Sequence, residues 1–177
     1  MISTSTDLGS ATVVGAGSSS YIDGAVKKDF CATGAFEFPV GQNQYSKVGV
    51  TITALGTNPS SLTVTPWDST LGGFPPATSL SRNWNLEETG DLTADLLFYY
   101  DELDVNGTET DYRVYKREGN GIVTNMCTGG PCVDDLNNIL GPISGVSDFS
   151  RWTGSGPLAP TAAEVSLGGR VTTADGR

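Results

Sequence analysis

The 177-residue chain contains no histidine. That removes at once the commonest general base, the commonest metal ligand and the usual partner of a nucleophilic serine. Charged residues are scarce, at 17%, and no run of about twenty apolar residues is present to span a bilayer as a helix. No long stretch repeats apolar residues at three- and four-residue spacing, so helices are not expected. The opening MISTSTDLGS has neither the basic stretch nor the apolar core of a signal peptide. Ten basic residues stand against 20 acidic ones, a formal charge of −10. That balance argues against nucleic acid, which wants a basic face, and against an anionic membrane surface. It favours solubility and specifies no partner.

What the chain does have is punctuation: 23 glycines and 9 prolines break it into short runs. Those runs alternate apolar and polar residues, as in KVGVTITAL (47–55), where Val48, Val50, Ile52 and Ala54 share one face. Period-two runs between Gly, Pro, Asn, Asp and Ser clusters indicate an all-β protein. Roughly ten such strands predict an antiparallel β-sandwich, with Greek-key, immunoglobulin-like or jelly-roll-like crossovers. The centre is residues 84–117. Leu92, Ala94, Leu96, Phe98 and Tyr100 point one way there, and Asn106-Gly107 carries the strongest short hairpin signal. A long antiparallel hairpin, returning through Tyr112, Val114 and Lys116, is the expectation.

Three regions follow. Residues 1–20, rich in Ser, Thr, Gly and Ala with one β-like run at Ala11–Val14, suit a linker or the end of an upstream β-repeat. Residues 21–153 make the sandwich. In residues 154–177, GSGPLAPTAAE has linker composition, and Val165–Thr173 begins an alternating pattern that implies a following module.

The ordered phrases SYIDGAVKK, ATGAFEFPVG, ALGTNPSSLTV, LSRNWNLEETGDLTADLLFYYDELDVNG and VSDFSRWT carry a resemblance over nearly the whole chain. They resemble a β-sandwich module near the C-terminal end of large bacterial surface and secreted repeat proteins, adhesin-like in composition. There the module precedes a carboxypeptidase-regulatory-like domain, and PTAAEVSLGGRVTTADGR is similar to that domain's opening strand. The resemblance implies an extracellular, bacterial cell-surface location. It carries over no catalytic residue.

Cys127 and Cys132 frame Thr128-Gly129-Gly130-Pro131, a turn able to bring two Cα atoms to bridging distance. In an exported protein that favours a disulfide. The alternative, a redox or metal pair, lacks the further ligands that zinc requires. Cys31, between Phe30 and Ala32, fits a small buried residue, with pairing between subunits as the other option.

Asp101, Asp104, Asn106, Glu109 and Asp111 form an acidic loop. Glu102, Asp104, Asn106 and Gly107 echo a calcium loop, but Glu stands at its first position and Arg113 at its twelfth. The favoured reading is a solvated hairpin tip. A calcium site of another kind is the alternative. Glu87 and Glu88 point to opposite faces of a strand and are no preformed pair for glycoside hydrolysis. Ser18-Ser19-Ser20 lacks the Lys and helix of a phosphate loop, and only Lys27 or Lys28 is at hand as a base. Asn106-Gly107-Thr108 is a glycosylation sequon in form, which the hairpin reading explains better.

Among the aromatics, Trp84 and Trp152 belong to the core. Trp67 and Tyr115 are the candidates for an exposed carbohydrate-binding platform. Lys27, Lys28 or Lys47 would form an isopeptide crosslink if buried with an Asn and a carboxylic acid. The expected function is that of a non-catalytic structural and adhesive module. It would meet adjacent domains or neighbouring subunits by β-strand addition, an orphan strand such as Val165–Thr173 completing a neighbour's sheet edge. The rival is a carbohydrate-binding module, with or without calcium.

Overall fold

The computed structural model describes residues 15–158 in full and the backbone of residues 2–4. Ala11–Val14 and Val165–Thr173, expected as β segments, lie outside the described residues. The fold is an antiparallel β-sandwich with fifteen strands and no α-helix among the described residues.

One sheet has seven strands. In spatial order they are β1 (Ile2–Thr4), β3 (Val26–Phe30), β8 (Ser60–Trp67), β9 (Asn83–Thr89), β15 (Arg151–Ser155), β11 (Arg113–Arg117) and β12 (Val123–Asn125). The facing sheet has five: β13 (Val133–Asp134), β14 (Ile139–Val146), β10 (Leu92–Tyr99), β7 (Val48–Leu55) and β4 (Gly34–Phe38). A small third sheet joins β2 (Ile22–Asp23), β5 (Val40–Gln42) and β6 (Gln44–Tyr45). All pairings are antiparallel except β1 with β3 and β2 with β5.

Alternation sets the faces. Leu92, Ala94, Leu96 and Phe98 are fully buried and Tyr100 nearly so, while the residues between them are half-buried. Val48, Val50 and Ile52 pack beside them from β7, with Val64, Leu86 and Val114 from the opposite sheet. Each such aliphatic side chain contributes roughly 1.5–3 kcal/mol by leaving water. Trp84 and Trp152 are direct cross-strand partners, and Phe98 inserts between them from the other sheet, its ring centroid 5.1 Å from Trp84 and 5.4 Å from Trp152.

The expected central hairpin does not form. β9 and β10 belong to different sheets, and so do β10 and β11. Asn106 does not take the positive φ that a tight hairpin turn demands, although Gly107 does (φ 85°). Residues 101–111 form a crossover between sheets, built on two 3₁₀ turns at Glu102–Asp104 and Glu109–Asp111. The alternation holds along Val48–Ile52 and Leu92–Phe98, but a bulge beyond Ile52 turns Ala54, expected on the inward face, out to solvent, and periodicity says nothing about which sheet a strand joins.

β15 runs to Ser155, just past residue 153, and Leu158 packs against the Leu71–Phe74–Tyr115 cluster. Within residues 1–20, expected as a linker or the end of an upstream β-repeat, Ile2–Thr4 pairs parallel to Val26–Lys28.

The registers fix the direction of travel. Val26, the first residue of β3, stands level with Val64 and Leu86. β15 starts opposite Asn85 and Trp84 and runs on, antiparallel to β9, to Ser155. β3 therefore sets out from, and β15 finishes towards, the same end of the sandwich.

Candidate functional site

The acidic crossover is held by Arg82, which occupies the inward slot between Leu80 and Trp84. Its side chain is fully buried. Nε donates to Asp104 Oδ2 at 2.9 Å and Nη2 to Asp104 Oδ1 at 3.1 Å, a bidentate pair. Nη1 donates to the Gln42 carbonyl at 2.8 Å, and Asp68 stands 3.5 Å from Nη2. A charge so buried persists only when paired and hydrogen-bonded. The signal was present in the sequence: an Arg in the apolar series Leu80, Arg82, Trp84, Leu86 demands a buried anion elsewhere.

The other members of the acidic set serve the loop itself. Asp101 caps the first 3₁₀ turn by accepting from the Leu103 N–H at 3.0 Å. Asn106 Nδ2 donates to the Ser79 carbonyl at 3.0 Å. Glu109 accepts a hydrogen bond from the Tyr100 hydroxyl, and Asp111 is exposed. Burial, reinforced by Glu109, pushes the Tyr100 phenol far above its ordinary value. Tyr112, fully buried, donates from its hydroxyl to the Asn106 carbonyl at 2.7 Å and accepts from the Asn106 N–H at 2.9 Å. The buried phenol thus ties the backbone six residues upstream to the start of β11. The carboxylates thus diverge to separate partners. Among the described residues no three His, Cys, Asp or Glu side chains gather as a metal-holding group, and the solvated hairpin tip gives way to a braced crossover.

Cys127 and Cys132 stand at disulfide distance, with Cα atoms 5.7 Å apart. They bracket the passage from β12 in one sheet to β13 in the other, and the Val114 N–H donates to Cys127 Sγ at 2.9 Å. Cys31 is half-buried in the turn between β3 and β4, where its carbonyl accepts from Asn58, and so lies outside the buried core.

The three lysines considered for crosslinking are engaged elsewhere. Lys47 Nζ meets Glu37 at 2.7 Å and lies over the Tyr99 ring. Lys27 Nζ is 3.8 Å from Asp29. Lys28, nearly buried, sits over the rings of Phe30 and Phe36.

The aromatic pair separates. Trp67 is 43% exposed on the outer face of the seven-stranded sheet. Tyr115, expected to be exposed, is buried. It does point outward, but the loop between β8 and β9 folds over it, placing Phe74 5.5 Å away centroid to centroid and Leu71 beside it. Around Trp67 the same outer face carries Asn83, Asn85, Arg117 and Arg151, with a depression on either side of Arg151.

Comparison with protein-family models, with curated proteins and with solved structures finds no match. Among the described residues no helix is long and apolar enough to cross a membrane.

Proposed function

We propose that this chain is a non-catalytic structural and adhesive module of an exported bacterial surface protein, acting through its outer faces and sheet edges. The observation that carries this reading is the path of the chain. With β3 leaving from and β15 returning to one end, the sandwich projects sideways from the line of the polypeptide and presents its flanks to a partner. The charged groups Arg82, Asp104 and Lys116 brace the body, in keeping with a mechanical role. Strand addition is the mode of assembly. Among the described residues β4 is hydrogen-bonded to β7 on one side and forms the rim of its sheet, and β1 is itself a strand added from afar to the rim of the other.

Sedimentation velocity at micromolar concentration, on the full chain and on a variant lacking residues 159–177, tests this. Self-association lost on truncation supports strand addition. A monomer in both cases overturns it.

A second reading, carbohydrate binding, is favoured by the exposure of Trp67 on an open sheet face. Of the acidic loop that a calcium-assisted version would use, Asp104 and Glu109 are engaged in bracing the crossover.

A further inference from the structure

The outer face around Arg151 contains an arrangement that the fold does not require. Arg151 on β15 lies in register with Asn85 on β9 and with Arg117 on β11, forming one cross-strand row. Two arginines are therefore direct lateral neighbours on one face, a pairing of like charges that costs stability in an empty sheet. Among the described residues neither takes part in a salt bridge, although the chain as a whole is acidic. Nearby carboxylates are otherwise occupied: Glu118 pairs with Lys116 at 2.7 Å, and Glu87 accepts from Asn85 at 2.8 Å.

Arg151 divides two depressions. One, of about 170 Å³, is lined by Trp67, Ser69, Leu71 and Asn83 among others. The second, of about 300 Å³, is lined by Asn85, Arg117, Glu118 and Ser150 among others. Asn83 is 3% exposed; its Nδ2 donates to the Ser69 carbonyl at 2.7 Å, while its Oδ1 has no partner among the described residues. That oxygen is itself buried, so Asn83 shapes the floor of the depression and offers no acceptor to it.

Trp67 and Arg151 stand one outward row and two strands apart, roughly 12 Å by strand rise and spacing. That distance accommodates a short oligosaccharide lying across the face.

We propose that this face binds an anionic saccharide, a uronate- or sulfate-bearing oligosaccharide. The Arg117–Arg151 pair takes the acid group, Trp67 stacks on a sugar ring, and Asn85 meets a hydroxyl. Arginine forks match carboxylate and sulfate oxygens two at a time. An anion between the two guanidiniums turns their repulsion into attraction. Because the surrounding protein is acidic, a long polyanion is repelled outside the row while a short acidic sugar is not. The inference rests on the carbohydrate-binding reading above and gives it a ligand class.

The test is isothermal titration, with tryptophan fluorescence in parallel, of the full chain. The probes are a galacturonic acid tetramer, a heparin-derived tetrasaccharide, a neutral galactose tetramer and single-stranded DNA. At least one acidic tetrasaccharide is expected to bind, with the neutral tetramer at least tenfold weaker. R117Q/R151Q and W67A are each expected to weaken binding at least tenfold. The melting temperature of R117Q/R151Q should be unchanged or higher, since the substitution removes a like-charge pair. Acidic binding that is indifferent to R117Q/R151Q overturns the proposal. Neutral binding as tight as acidic, and dependent on Trp67, overturns the anionic preference while leaving carbohydrate binding standing. DNA binding as tight as the sugars' overturns the saccharide assignment. Absence of binding by every tetrasaccharide overturns both this proposal and the carbohydrate reading.

Discussion

Arg82 and Asp104 meet through two hydrogen bonds of 2.9 and 3.1 Å, both side chains withdrawn from water, and so tie the start of β9 to the crossover between the sheets. Removing the acid leaves an uncompensated buried cation. D104A should lose about 3–5 kcal/mol in denaturant unfolding. The double variant R82M/D104L should recover much of that loss, because apolar replacement of a whole buried pair costs less than breaking it. Equal losses in the two variants would mean that the contacts of Arg82 to Gln42 and Asp68 dominate.

The cysteine pair closes a short loop, with a sequence separation of 5. Loop entropy gives a stabilisation of about 2 kcal/mol, so C127S/C132S should unfold earlier in denaturant by that amount. Intact mass under denaturing, non-reducing conditions should rise by about two units on reduction. A mass deficit that survives reduction would reveal an isopeptide bond, against the positions found for Lys27, Lys28 and Lys47.

The fold is also expected to weaken in alkali. Tyr45, Tyr100 and Tyr112 are all raised, chiefly because burial disfavours the phenolate. At Lys116 burial works against the ammonium, but hydrogen bonds to Glu118 and Asp148 outweigh it and the pKa is raised. Groups raised by folding stabilise the native state below their unfolded pKa, and that contribution disappears as pH climbs through the folded value. With an unfolded tyrosine value of about 10, melting temperature should fall from about pH 10 upwards. In Y100F the fall should be shallower, since its phenol and the Glu109 contact are gone. An identical alkaline slope in Y100F would show that Tyr100 makes no such contribution.

Trp67 is 43% exposed, whereas Trp84 and Trp152 are fully buried. Iodide should therefore quench one class of tryptophan and spare the other, and W67F should abolish the quenchable fraction. Quenching that persists in W67F would contradict the burial of the core pair.

The strands were legible because period-two alternation is a direct imprint of a half-buried sheet. Val48 to Ile52 and Leu92 to Phe98 declare their inward faces in plain order. Pairing was less legible: Asn106-Gly107 has hairpin composition, yet Tyr112 and Arg82 capture the segment for a crossover instead. Tyr115 follows the same logic. Its outward direction was readable, but its burial depends on Leu71 and Phe74, some forty residues away. Long-range covering of this kind leaves no trace in local spacing. The arginine row was hidden for a related reason, since Arg117 and Arg151 become neighbours only through the register of β11 with β15.

The position of β15 also governs when the molecule can exist. Arg151–Ser155 fills the slot between β9 and β11, two strands that do not pair with one another. Until that segment has been synthesised, the seven-stranded sheet is two pieces with open inner edges and half a tryptophan pair. Such non-local closure folds slowly, on the scale of roughly milliseconds to seconds. A nascent chain of this design therefore lacks a complete seven-stranded sheet until Arg151–Ser155 has emerged, and locks only once that segment is free to enter its slot.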